Sequence, residues 1–114
     1  MEINGKVYQV SISEKETAIS GEFRLRTSDE YAPMLAEISE VMSKPLDHYD
    51  IHFNGLKYIN STGSSFVAEI LKVAKKKQTK VVLWEVSNTL WNLDTISAWK
   101  LLWPRTEVHI KNEP

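Results

Sequence analysis

The stretch Ile59-Asn60-Ser61-Thr62-Gly63-Ser64-Ser65 concentrates hydroxyl side chains within a few residues. Before it, Tyr49 to Asn54 reads as a strand. After it, Phe66 to Ala74 carries the apolar spacing of a helix. The stretch is therefore expected to be a strand-to-helix loop that delivers hydroxyls to a helix N-terminus. Such a terminus offers unpaired backbone N–H groups and the positive end of the helix dipole. Ser and Thr oxygens accept those N–H bonds, so the plain reading is a cap. The same place suits a phosphoryl group, because N–H groups and dipole both favour an anion. A cap and a phosphorylatable switch are thus the two roles open to it.

Other residues capable of chemistry point nowhere definite. His48, His52 and His109 match no metal-ligand spacing, and no convergent partners are evident for catalysis. Ser61 and Ser64 lack the Gly-x-Ser-x-Gly elbow of a nucleophile and an identifiable base. An enzyme is not expected, nor a cofactor, nor a metal site. Trp84, Trp91, Trp99 and Trp103 crowd the C-terminal third. Trp84 reads as a core residue. Trp91 and Trp99 could share one helical face and form a partner patch, but large apolar side chains more often pack internally.

The 114 residues fit one domain spanning 1–114. With no cysteine there is no disulfide and no thiolate site. Fourteen basic against fifteen acidic side chains give no electrostatic case for nucleic acid or an anionic membrane surface. No apolar run reaches the ~20 residues of a membrane helix, and the N-terminus lacks a secretory pattern. A soluble cytoplasmic protein is expected.

The elements that must position the hydroxyls follow in order. Lys6 to Ile12 alternates as a half-buried strand, and Thr17 to Leu25 resumes it, with Gly21 predicting a bulge. From Asp29 or Glu30 a helix carries Tyr31, Met34, Leu35, Ile38, Val41 and Met42 at helical steps, with Pro33 in its first turn, and ends at Lys44-Pro45. Tyr49 to Asn54 is the third strand, and Gly55-Leu56-Lys57-Tyr58 leads into the hydroxyl loop. The helix from Phe66 ends in Lys75-Lys76-Lys77, cations that complement its dipole. Lys80 to Val86 is a continuous apolar run, predicting a strand covered on both faces. Leu90 to Leu102 reads as a helix burying Leu93, Ile96, Leu101 and Leu102. Thr106 to Ile110 is a last strand before a frayed end at Lys111 to Pro114. This order predicts an α/β fold: a mixed, mostly parallel sheet with an antiparallel N-terminal hairpin and amphipathic covering helices.

With the loop Asn60-Ser61-Thr62-Gly63, the strands on either side and the amphipathic helix between them, the chain resembles the STAS domain family. These are domains of the bacterial anti-sigma factor antagonist type. The resemblance implies a protein-binding module in a partner switch. The unmodified domain would bind an anti-sigma factor-like serine/threonine kinase, which phosphorylates the loop and releases it, and a serine phosphatase would reset it. By position Ser61 matches the phosphoacceptor, and Thr62 is the second choice. The partner surface would take in Asn60, Ser61, Thr62, Gly63, Ser64 and Ser65, with the loop after Leu25. Asn60 stands where the family has Asp, Ser64-Ser65 replace the usual Leu-Gly, and Arg26-Thr27 follow Leu25. The Asn-Ser/Thr form resembles STAS-like phosphoproteins of biofilm and cyclic-dinucleotide signalling, which implies the alternative of an activator of a diguanylate cyclase. A small-ligand-binding STAS domain is the remaining alternative.

Overall fold

The computed structural model describes residues 1–5 and 7–112. The expectations for Lys6 as a strand start and for Glu113-Pro114 as a frayed end lie outside the described residues. The chain opens with β1 (Glu2–Asn4), β2 (Tyr8–Ile12) and β3 (Glu16–Phe23). Helix α1 (Ser28–Val41) leads to β4 (Tyr49–His52) and β5 (Leu56–Ile59). Helix α2 (Ser61–Lys77), β6 (Val81–Ser87), α3 (Leu93–Leu102) and β7 (Thr106–Lys111) complete it.

The strands form one seven-stranded sheet in the order β1-β2-β3-β4-β6-β7, with β5 also paired to β3. β1, β2 and β3 pair antiparallel, and every later pairing is parallel. The mixed sheet with its antiparallel N-terminal portion therefore matches expectation. The added β1 is three exposed or half-buried residues, too short and polar to announce itself. β5 is the other unforeseen strand. The chain leaves β4, makes a turn at Gly55 with φ +79°, and continues in the same direction to pair with the far end of β3. Gly21 makes the expected bulge: its φ is +82°, the β3–β5 register slips there, and an added Cβ would strike the Val7 carbonyl oxygen.

From β3 the parallel order advances steadily in one direction. Right-handed crossovers then deliver α1, α2 and α3 to the same side of the sheet. Burial agrees. Thr17, Ile19, Tyr49, Ile51 and Leu83 face the helices and are fully buried. Their neighbours Glu16, Ala18, Asp50, His52 and Trp84 are exposed or half-exposed on the opposite face. The expectation that Lys80 to Val86 is covered on both faces is thus corrected. On the open side Val82 is shielded to 4 % exposure, while Trp84 is half-buried rather than core. The Trp84 ring lies stacked between His52 and His109, with its Nε1 donating to Asp50 at 2.9 Å.

The core lies between sheet and helices. Met34 and Ile38 of α1 and Phe66, Ile70 and Leu71 of α2 are fully buried in it. Each such side chain contributes about 1.5–3 kcal/mol. Phe66 stacks on Tyr31 at 5.2 Å and leans on Phe23 at 5.9 Å. One polar knot sits within. The Tyr49 hydroxyl lies 2.7 Å from Thr17 Oγ1 and donates to the Ser13 carbonyl at 3.1 Å. Burial pushes the Tyr49 phenol up to about 12.

Two helices depart from their expected bounds. α1 starts at Ser28, so Pro33 falls in its second turn rather than its first. α3 starts at Leu93, not Leu90, leaving Trp91 in the preceding loop. Leu93 and Leu101, expected to be buried, are 66 % and 82 % exposed, and the helix packs through Ile96 and Trp99 instead. Trp91, Trp99 and Trp103 are all buried, which removes the idea of an exposed Trp91–Trp99 patch. Among the described residues, no helix is long and apolar enough to cross a membrane.

Candidate functional site

The hydroxyl stretch is the first turn of α2 itself rather than a loop before it. Asn60 is the N-cap, with extended φ and ψ, and Ser61 is the first helical residue. The Asn60 Oδ1 accepts from the Gly63 N–H at 2.9 Å, and its carbonyl accepts from the Ser64 N–H at 2.9 Å. The same side chain reaches across to the segment after β3. Oδ1 also accepts from the Leu25 N–H at 3.3 Å, and Nδ2 donates to the Leu25 carbonyl at 2.8 Å. One amide thereby caps a helix and closes a two-way bond with the strand-to-helix segment 35 residues earlier. An aspartate could accept at the first two positions but has no donor for the third. The asparagine therefore makes one bond here that an aspartate could not.

Gly63 is set by packing. A Cβ there would lie 2.8 Å from Ile59 Cγ1 and 2.9 Å from Phe23 Cδ2. Absence of a side chain lets the first turn of α2 press onto the ends of β3 and β5. The remaining hydroxyls divide into two kinds. Ser64 Oγ accepts from the buried Trp91 Nε1 at 3.1 Å, and Ser65 Oγ donates back to the Ser61 carbonyl at 3.0 Å. Ser61 is exposed and Thr62 half-buried, and among the described residues neither hydroxyl has a hydrogen-bond partner.

The head of α2 carries the positive end of the helix dipole. The backbone N–H groups of Ser61 and Thr62 lack acceptors among the described residues, and the first turn of α2 has no acidic residue. Leu25, fastened to Asn60, carries Arg24 and Arg26 on either side of it. The Arg24 guanidinium grips Glu22 through two bonds and lies 3.9 Å over the Tyr58 ring. Arg26 is exposed, and its N–H is held by Glu30 Oε1 at 3.0 Å. Glu30 also receives the Tyr8 hydroxyl at 3.5 Å, and burial together with the Glu30 charge holds that phenol above its usual range.

The six expected site residues are the N-cap Asn60 and the first five residues of α2, and only Ser61 and Thr62 present hydroxyls without a hydrogen-bond partner among the described residues. Sequence reasoning missed the two partners that shape the turn from outside, the Leu25 backbone and Trp91. Neither leaves a local signal, since each contact joins segments far apart in the chain. The histidines do not converge. His48 pairs with Asp50 at 3.3 Å, His52 with Glu16 at 2.7 Å and His109 with Glu107 at 2.6 Å. The His109 bond holds the Glu107 carboxyl below its usual range. Among the described residues no cluster of His and carboxylates is arranged to hold a metal ion.

Backbone comparison with solved structures finds this arrangement of elements elsewhere. SiaC of Pseudomonas aeruginosa superposes with a TM-score of 0.76 over 99 % of this chain and 98 % of its own, at 11 % identity. The fold is STAS-like. The crystal structure of the diguanylate cyclase SiaD in complex with its activator SiaC, from the same organism, matches with a TM-score of 0.71. That match covers 99 % of both chains at 12 % identity. No protein-family model matches the chain, and no curated protein matches it by sequence.

Proposed function

We propose that this protein is a non-catalytic regulatory module that docks on a signalling enzyme of the diguanylate cyclase kind and activates it. Its docking surface is the first turn of α2, from Asn60 to Ser65, with the segment around Leu25. Phosphorylation of Ser61 by a serine/threonine kinase releases it, and a phosphatase restores it. The observation that carries this reading is the Ser61 hydroxyl: exposed, unpaired, and fixed at the head of a rigid, well-capped helix. The shared fold of SiaC, an activator of a diguanylate cyclase, supports the choice of target over an anti-sigma factor. Asn60 in place of the Asp of the anti-sigma antagonists points the same way. Ser61 is preferred over Thr62 because Thr62 is partly covered.

The energetics suit a switch. A phosphoserine adds about -1.5 to -2 charges. The helix N-terminus stabilises it by about 0.3–1 kcal/mol, up to ~2. Burying the same anion against a partner without a matching cation costs several kcal/mol. The second quantity is larger, so modification leaves the domain folded and dissolves the complex. At ~1.4 kcal/mol per decade, affinity falls by about two to three decades. The test is a cyclase assay with the unmodified protein, Ser61→Ala and the Ser61-phosphorylated form. The reading expects the first two to stimulate the enzyme and the third not to. Equal stimulation by all three leaves Ser61 as an ordinary exposed residue of the first turn of α2.

A further inference from the structure

Two asparagine–glycine pairs occur in the chain, Asn4-Gly5 and Asn54-Gly55. Such a pair carries its own electrophile and nucleophile. The side-chain amide carbon of the asparagine can close a five-membered ring with the backbone nitrogen of the next residue. Glycine leaves that nitrogen open to approach, because no Cβ stands beside it. The two pairs lie in opposite circumstances.

At Asn4-Gly5 the nucleophile is held. Asn4 pairs with Gln9 in the β1–β2 ladder, and the Gly5 N–H donates to the Tyr8 carbonyl at 2.9 Å. At Asn54-Gly55 it is not. This pair forms the two central residues of the turn between β4 and β5, closed by the Leu56 N–H on the Phe53 carbonyl at 3.0 Å. Gly55 has positive φ and Asn54 does not, the pattern of a type II turn. Both residues are exposed. Among the described residues, neither the Gly55 N–H nor the Asn54 side-chain amide has a hydrogen-bond partner. Asn60, followed by Ser61, differs again, since its amide is tied by three bonds.

We infer that Asn54 is a site of spontaneous covalent modification that ages to aspartyl and isoaspartyl forms. The Gly55 nitrogen gives its proton to base in solution and attacks Asn54 Cγ. The bond from Cγ to the side-chain nitrogen breaks, ammonia leaves, and a succinimide ring closes. Water then opens the ring at either carbonyl. One opening leaves an aspartate on the original main chain. The other routes the main chain through Asn54 Cβ. Each adds one negative charge, and no oxidant or reductant enters.

The isoaspartyl product inserts a carbon into the main chain of a tight turn. That turn sets β5 on β3, where Gly21 pairs with Leu56 and donates to the Gly55 carbonyl at 2.9 Å. β5 ends at Ile59, next to the N-cap Asn60, so the disturbance is carried toward the head of α2. The inference goes beyond the docking role proposed for Ser61 and stands without it.

The test incubates the full chain at mildly alkaline pH, folded in buffer and unfolded in concentrated urea. Peptide mapping by mass follows each asparagine through the exchange of an amino for a hydroxyl group. Methylation by an isoaspartyl methyltransferase reports the rearranged product. In urea the two pairs should convert at comparable rates. In the folded protein Asn54 should convert about tenfold faster than Asn4, because the bond made by the Gly5 N–H must first open. Asn54→Ser, at an exposed turn position, should abolish the fast conversion and leave the slow one. The isoaspartyl fraction, separated by its added charge, should unfold at a lower temperature than fresh protein. Comparable rates at Asn4 and Asn54 in the folded protein, or an Asn54 that converts in urea alone, overturn the inference. An isoaspartyl fraction as stable as fresh protein overturns the effect on β5.

Discussion

Asn60 Nδ2 donates to the carbonyl of Leu25 at 2.8 Å while Asn60 Oδ1 accepts the Leu25 N–H at 3.3 Å. This pairing joins the head of α2 to the segment between β3 and α1. Replacement Asn60→Asp keeps both acceptor roles and places a carboxylate oxygen against a carbonyl oxygen. The helix dipole favours that charge by about 0.3–1 kcal/mol, but the lost bond and the repulsion cost about 1–3 kcal/mol. Net destabilisation of about 1–2 kcal/mol is expected. Asn60→Ala, which loses the cap as well, should cost more. Urea unfolding of the two variants checks the order, and an Asp variant as stable as wild type contradicts it.

Gly63→Ala sets propensity against packing. Alanine favours a helix by about 1 kcal/mol over glycine. Its Cβ would press on Ile59 and Phe23 at 2.8 and 2.9 Å, and on the Phe23 carbonyl oxygen at 3.1 Å. Overpacking of this kind costs about 1–3 kcal/mol, and backbone cannot swing aside as a flexible side chain would. Unfolding experiments should show a net loss despite the better helix former.

The buried Tyr49 gives stability a dependence on alkaline pH. Its phenol is raised from 10.0 to about 12 in the folded state. The unfolded chain therefore releases this proton first. The contribution is whole below the unfolded value and declines as pH rises from ~10 to ~12, by about 3 kcal/mol. Tyr49→Phe removes that slope. At neutral pH the same variant is less stable by about 1–3 kcal/mol, because buried Thr17 loses its partner. Denaturation of both proteins across pH 8 to 12 should show curves that converge as the solution becomes alkaline.

Much of this was legible in the residues, and what was not has physical reasons. The spacing of Tyr31, Met34, Ile38 and Val41 encodes the buried face of α1. Lys75-Lys76-Lys77 sit in the last turn of α2, and Gly21 makes its bulge. These features depend on neighbours in the chain. The side of the sheet on which Trp84 falls depends on the order of strands, which no local pattern records. Leu93 and Leu101 look like core residues, yet short α3 is anchored by Ile96 and Trp99 and turns those leucines to solvent. At the site, the residue types at 60–65 were readable as the place where a strand gives way to a helix, though they form the cap and opening of the helix rather than a loop before it. The sharing of hydroxyls was not. Ser64 is engaged by Trp91, 27 residues later, and Asn60 by Leu25, 35 residues earlier.

Glu85 holds a conformation suited to glycine, with φ +53°. Relief of strain worth about 1–3 kcal/mol outweighs the ~0.5–1 kcal/mol of chain entropy that glycine adds. Glu85→Gly should therefore raise stability by about 0.5–1 kcal/mol, whereas Glu85→Val, β-branched at positive φ, should lower it by at least ~1 kcal/mol. Thermal unfolding midpoints moving in opposite directions would bear this out.

The most direct measurement is the affinity of the unmodified and the Ser61-phosphorylated protein for a diguanylate cyclase, the target class proposed above. Titration calorimetry on the two forms, both shown to be folded by their unfolding midpoints, supplies it. The account predicts binding about a hundredfold or more weaker for the phosphorylated form. Equal affinity of the two folded forms would contradict it.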